Sequence, residues 1–424
     1  MTAEQFIFTD KTKKRIFIYS LAGLLLLALG LIALAAGGHG GGEEAADDHH
    51  FHWVHRLWVN LWINNIYFTG LSLVGVLFLA IQYAAQAGWS AYIKRVPEAF
   101  GGWLPFAAVL TIGLFFLTNF TSHFHIFHWL DASLYAESLP DGSPNPHYDA
   151  IIAGKQGYLN LPFFLGRMIF YFIVWIGLYY LIRRESLSED INGGSVHWKK
   201  MRVYSTLFII VFALSSSTAA WDWVMSIDTH WFSTMFGWYV FASWFVAGLA
   251  AITLTVIVLQ ERGYFPELNS SHLHDLGKFI FAFSIFWTYI WFSQFLLIYY
   301  ANIPEETVYF IERLKSGQYA WVFYLNVVLN FFFPFLVLMT RDSKRHTIFL
   351  KIVCPVVLVG HWFDFYLMIT PGTLSENGGF GLIEIGTAVI FAAAFIFVLL
   401  NSLSKAPVVA LKHPMLEESL HHQT

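Results

Sequence analysis

Residues 16–36 read IFIYSLAGLLLLALGLIALAA, an uncharged run directly after the basic cluster Lys11, Lys13, Lys14 and Arg15. A bilayer core about 30 Å thick takes roughly 20 apolar residues as a helix, at ~1.5 Å per residue, so this run predicts one membrane crossing. Nine more stretches share its character. With the first (15–37), they place spans near 60–87, 103–127, 160–182, 203–225, 232–260, 275–301, 318–340, 347–370 and 380–402. Spanning strands are about 10 residues long and alternate in polarity; these runs do neither. The fold class expected is an all-α integral membrane protein of ten transmembrane helices, forming a single polytopic domain over residues 1–424.

The whole chain agrees. Its 424 residues are 57% apolar and only 12% charged, against about 45–50% and about 25% in a soluble domain. That leaves too little polar surface to clothe a soluble fold in water. A net charge of −4 argues against nucleic acid as a partner. The one cysteine, Cys354, lies inside an apolar run. Disulfide frameworks, haem-c attachment and thiolate-held iron–sulfur clusters are thereby excluded from this chain. Any electron transfer it serves runs through metal centres of partners, and no metal site is assigned to it.

Lysine and arginine set the orientation, because they are retained in cytoplasmic loops. With ten spans, 19 of the 24 fall on one side, in the N-terminus, the even-numbered loops and the tail. Arg56, Lys155, Arg313 and Lys315 fall on the other side, and Arg167 lies within the fourth span. Both termini are therefore expected in the cytoplasm. The first span has a basic flank like a secretory signal, but its apolar run exceeds the ~7–15 residues of a signal core, so it is read as a helix.

The outer loops are distinctive. Residues 38–59 begin as a flexible Gly-rich, acidic, His-rich stretch with His49, His50, His52 and His55; a solvated connector is favoured there over a metal site. The long loop 131–159 carries Pro140, Pro144 and Pro146, and a loop of that length needs something packed on it to be ordered.

Ionisable groups at bilayer depth are costly unless paired or hydrated. The third span ends NFTSHFHIFHWLD (119–131), with Asn119 and His123 four apart and His125 and His128 three apart, spacings that share a helix face. Arg167 opens the fourth span, Asp222 ends the fifth, and Asp228 and His230 follow. All lie at the outer ends of spans two to five, so His123, His128, Arg167 and Asp222 form a candidate cluster, with Arg167 and Asp222 as a buried pair. Such a cluster suits a proton-coupled site for a hydrophobic carrier such as a quinol, whose oxidation releases protons beside an apolar pocket. Interfacial anchoring is the competing reading for His125 and Asp131. A second set comprises Gln294, Asn326, Asn330, His361, Asp364 and Glu384, with Ser215, Ser216, Ser217 and Thr218 in the fifth span. Of these, His361, Asp364, Glu384 and Ser217 are candidates for a proton path, although helix hydroxyls more often bond back to their own backbone. The histidines are too few and too clustered for a bound haem.

The stretch Trp221–Tyr239, WDWVMSIDTHWFSTMFGWY, resembles a signature of polysulfide-reductase-type (NrfD-like) membrane subunits. More narrowly, it is similar to those of alternative complex III, a bacterial quinol:cytochrome c oxidoreductase, and closer to the smaller, F-type of that complex's two such subunits. The segment Trp231–Phe236 is the most telling, and the resemblance extends over essentially the whole chain. It implies two four-helix bundles, spans 2–5 and 6–9, flanked by spans 1 and 10. It also implies menaquinol as ligand at the outer end of the first bundle, and no cofactor held by this chain alone. The partners implied are a homologous NrfD-like membrane subunit, iron–sulfur and haem-c subunits on the outer face, a terminal oxidase and bacterial plasma-membrane lipid. The chain departs from the family at Arg167, where the first bundle would carry an acid, so a structural role or a proton path stands beside quinol oxidation. A scaffold that anchors redox partners without chemistry is the alternative from another class. A secondary transporter ranks third, because Pro105, Pro162, Pro334 and Pro355 do not break helices at their centres.

Overall fold

A computed structural model describes residues 4–37, 53–120 and 125–423. Among them, ten helices are long and apolar enough to cross a bilayer: Asp10–Ala36, Val54–Ala84, Arg95–Phe120, Leu161–Asn192, Ser195–Ile227, Phe236–Glu261, Ser270–Ala301, Ala320–Val337, Thr347–Asn377 and Leu382–Leu403, numbered here as spans 1 to 10. The described residues contain isolated bridges but no β-strand. The chain is an all-α, multi-pass membrane protein.

Span 2 is the axis. It packs on spans 3, 5, 6, 9 and 10, and its buried side chains include Asn60, Asn64, Asn65, Thr69 and Ser72. Close approach to span 6 depends on glycine: a Cβ on Gly70 would lie 1.8 Å from Trp244 Cδ1, and one on Gly248 2.3 Å from Val74. Small residues at helix contacts let backbones approach where apolar burial gives little drive. Span 2 neighbours span 3, span 3 neighbours span 4, span 4 neighbours span 5, and span 5 returns to span 2. Spans 6, 7, 8 and 9 make a corresponding circuit. Spans 1 and 10 pack on each other through Gly23, Gly30 and Gly386, while Leu24, Leu25 and Ile32 face outward.

Both described termini lie at one end, where Val408 N–H donates to Glu4 O at 2.9 Å and Gln5 Nε2 to Ser404 O at 2.5 Å. This is the basic end; the opposite one is called the far end. At the basic end three helices run past their apolar stretches. Span 3 begins at Arg95 rather than near 103, and spans 4 and 5 extend to Asn192 and from Ser195, turning on Gly193 and Gly194 at φ +67° and +76°. The reason is a buried ion network that reads in sequence as loop charge. Lys94 Nζ meets Glu189 at 2.5 Å, Arg95 and Arg183 both meet Glu98 at 2.8 Å, and Ser186 Oγ donates to Glu98 at 2.8 Å.

The opposite correction applies to the far end of span 3, which was expected to reach 127: the described helix runs to Phe120, and residues 125–127 are no longer helical. Phe127 N–H donates to Asn119 Oδ1 at 3.2 Å, so the chain doubles back on the helix end. His125 lies outside any helix and His128 opens a single short turn, His128–Leu130; they do not share a helix face as their spacing implied. His123 and residues 38–52, with the histidines at 49, 50 and 52, lie outside the described residues.

Candidate functional site

Trp221–Tyr239 runs from the last turns of span 5 to the first of span 6, and six of its side chains are tied to other elements. Asp222 receives Arg167 of span 4 through two hydrogen bonds, Nε to Oδ2 at 2.8 Å and Nη2 to Oδ1 at 2.9 Å. Tyr171 Oη adds a longer contact at 3.4 Å, and the guanidinium lies 3.9 Å from the Tyr158 ring centroid. Asp222 is wholly buried, so the two-pronged pair is what makes its burial tolerable.

Asp228 is held by Arg313 at 3.0 Å. Arg313 lies on the surface helix Pro304–Lys315, its guanidinium carbon 3.3 Å from the Tyr309 centroid, and Trp231 stacks on the same Tyr309 at 4.0 Å and 14°. His230 meets Asp149 at 2.5 Å. Ser233 Oγ donates to Gln294 of span 7 at 3.0 Å. Tyr239 Oη donates to Asp364 of span 9.

Two cavities flank this connection. One, of about 360 Å³, is bordered by Lys155, Tyr158, Trp221, Ser226 and Phe232. The Trp221 indole N–H is buried without a hydrogen-bond partner among the described residues. The other, of about 330 Å³, is bordered by His128, Asp228, His230, Glu305 and Glu312. Thr229 and Trp231 line both, forming a shared wall. His128 borders the second cavity, which neither Arg167 nor Asp222 lines. Desolvation lowers the His128 pKa despite the opposing pull of Asp131, so its ring is neutral near pH 7. In the same cavity burial raises the Glu312 carboxyl above its ordinary value, with Asp228 adding to the effect and Arg313 opposing it.

The second set of sequence candidates divides in two. Midway along span 9, Asp364 accepts from Tyr239, from Trp287 Nε1 at 2.8 Å and from Asn326 Nδ2 at 2.7 Å. His361 Nδ1 is 3.0 Å from Ser243 Oγ and 3.8 Å from Asp364, and its buried Nε2 meets no partner among the described residues. Asn330 donates to Asn326 within a π turn, Val328–Phe332, just before Pro334. Asn326, on the α-helical turn before it, reaches Asp364 directly, and Asn330 from the irregular turn supports Asn326. Glu384 is elsewhere, at the far-end start of span 10. There Arg56 reaches it at 2.6 and 2.7 Å, Asn60 at 2.8 Å and its own Gly381 N–H at 2.7 Å. Ser217 lies at the contact with Gly237 and bonds back to Ala213 O at 3.4 Å.

The structure thus joins Arg167 to Asp222 and His361 to Asp364, and leaves His128, Glu384 and Ser217 apart from both. Sequence reasoning missed Arg56 as the partner of Glu384, and Tyr239 and Trp287 as the donors to Asp364. An aromatic donor is indistinguishable in sequence from the surrounding apolar run. A comparison of the chain with protein-family models and with curated proteins finds no match.

Proposed function

We propose that the chain is a membrane subunit of a quinol-oxidising respiratory complex of the alternative complex III type, in a bacterial plasma membrane, with no redox centre of its own. Both termini then face the cytoplasm, as the bias of Lys and Arg favours. The two circuits of neighbouring spans, 2–5 and 6–9, are read as its two four-helix bundles. Iron–sulfur and c-type cytochrome subunits cover the far end, with a homologous NrfD-like subunit and a terminal oxidase alongside.

The observation that carries this reading is the far-end cavity of about 360 Å³ bordered by Trp221, Lys155, Phe232 and Tyr158, the last of which lies on the Arg167 guanidinium. The Trp221 indole N–H has no partner among the described residues, and a quinol oxygen in this cavity would meet it once the indole turns toward the space. Menaquinol, the ligand implied by the resemblance, supplies electrons to the partners and protons to the site. Trp221 and Lys155 orient its oxygen, while Tyr158 and Phe232 exclude water. Arg167 holds both oxygens of Asp222, which fixes the carboxylate in place. His128, one wall away, takes one of the two protons released as the two electrons pass to the partners, and the other leaves to the aqueous phase at the far end. Asp364 with His361 is the group suited to hold a proton inside spans 6–9, and neither Glu384 nor Ser217 extends that cluster.

A second reading, a scaffold without chemistry, draws support from the arginines that already close Asp222, Asp228 and Glu384. Trp221→Phe and His128→Ala in the assembled complex separate the two. The first reading expects quinol turnover to fall about 100-fold, the usual scale of one acid–base group, with haem-c and iron–sulfur partners still copurifying. Unchanged turnover in both variants leaves the scaffold.

A further inference from the structure

Spans 9 and 10 follow each other in sequence across a short link, yet they barely touch. Each leans on span 2 instead. Between them lies a slot of about 410 Å³ with span 2 as its floor, through the buried Tyr67 and Leu71. Trp362 and Phe363 wall it on one side, and Ala388 and Ala392 on the other. It runs along span 10 from Glu384 to Leu399, a length of ~22 Å at 1.5 Å per residue. One long side is open, with Val359 and Ile396 about half exposed at its rim.

We propose that this slot binds one acyl chain of a phospholipid. Its whole empty space, about 1120 Å³, over that length gives a cross-section of roughly 50 Å², whereas a helix ~10–12 Å across needs roughly 80–110 Å². A partner's spanning helix therefore does not fit, and a single hydrocarbon chain does. Water is excluded as the occupant because the lining offers it nothing. Tyr67 Oη donates to Leu358 O at 2.8 Å, Trp362 Nε1 to Asn64 Oδ1 at 2.9 Å, and Thr255 Oγ1 to Ala251 O at 2.7 Å. Glu384 already takes four hydrogen bonds, from Arg56, Asn60 and Gly381. The same saturation argues against a quinone ring, which needs a donor or an acceptor at its oxygens. The slot reads only the chain, and the headgroup lies beyond it. This site is separate from the cavity beside Trp221, and it stands whether or not that cavity takes a quinol.

The test uses the intact membrane assembly and a phosphatidylethanolamine with a photoactivatable diazirine in its acyl chain. The expected result is crosslinks on peptides of spans 9 and 10, competed by unlabelled phospholipid and not by a long-chain quinone. Ala388→Leu and Ala392→Phe, which fill the slot, should each lower that crosslinking about tenfold in protein that still elutes as an intact assembly. Crosslinks that map elsewhere in the unsubstituted protein overturn the proposal. So do competition by the quinone and undiminished labelling in both filled variants.

Discussion

Arg167 and Asp222, on adjacent spans, meet through two parallel hydrogen bonds of 2.8 and 2.9 Å, with the carboxylate fully buried and the arginine side chain 11% exposed. Geometry of this kind is the strong form of an ion pair, but it is costly to leave half-made. Asp222→Ala should destabilise the assembly by about 3–5 kcal/mol, because it strands the guanidinium. Arg167→Met combined with Asp222→Leu should recover most of that loss. Thermal inactivation in detergent reads both, and a double variant no better than Asp222→Ala would show that the charges themselves are required.

The contact between spans 2 and 6 makes a sharper steric prediction. A Cβ at Gly70 falls inside the Trp244 ring, whereas one at Gly154 meets nothing within 4 Å. Overpacking costs about 1–3 kcal/mol where neighbours adjust and more where they cannot. Gly70→Ala should lower the melting temperature clearly, and Gly154→Ala should leave it near the parent's.

The Asp364 cluster predicts a split between electron and proton transfer. Its carboxylate is met by three donors, and its charge is what those donors serve. Asp364→Asn keeps the volume but turns an amide N–H toward them. On the proposed reading, the variant in reconstituted vesicles should oxidise quinol while its associated proton movement falls about 100-fold, the low end of the range for a lost acid–base group. Normal proton movement in Asp364→Asn would remove this residue from the path.

The tail yields a pH dependence. His413 is buried against Tyr83, and its Nδ1 accepts from Met415 N–H at 3.1 Å. Burial, aided by Lys94 and Arg95, pushes its pKa down to about 2. The unfolded tail binds a proton below about 6.5 and the docked tail does not. Docking is therefore at full strength above that pH and weakens as pH falls toward the folded value, by up to ~1.4 kcal/mol per unit. Hydrogen exchange over residues 404–423, corrected for intrinsic rates, should show more opening at pH 5 than at pH 7.5. His413→Gln should flatten that difference; a tail equally protected at both pH values contradicts the mechanism.

Much of this molecule is legible in one dimension. The run at 16–36 and its nine counterparts announce ten crossings, because the length and polarity of a helix are local sums that lipid reads segment by segment. The pairing of Arg167 with Asp222 was also within reach, since two opposite charges at the same ends of consecutive spans have few other ways to lower their cost. Where the helices stop was less legible: span 3 is no longer helical at residues 125–127, where Asn119 takes the Phe127 N–H, and the ions from Lys94 to Glu189 carry helices beyond their apolar runs.

What the sequence by itself determined is therefore the class of the protein and its ten spans. Only the tertiary structure decided that Arg56 answers Glu384 across 328 positions, that Tyr239 and Trp287 answer Asp364, and that spans 9 and 10 part to leave a slot. Those outcomes depend on how each helix is rotated and which neighbour it meets. Rotation is set by packing such as Gly70 against Trp244, a property of two surfaces together that neither segment carries alone.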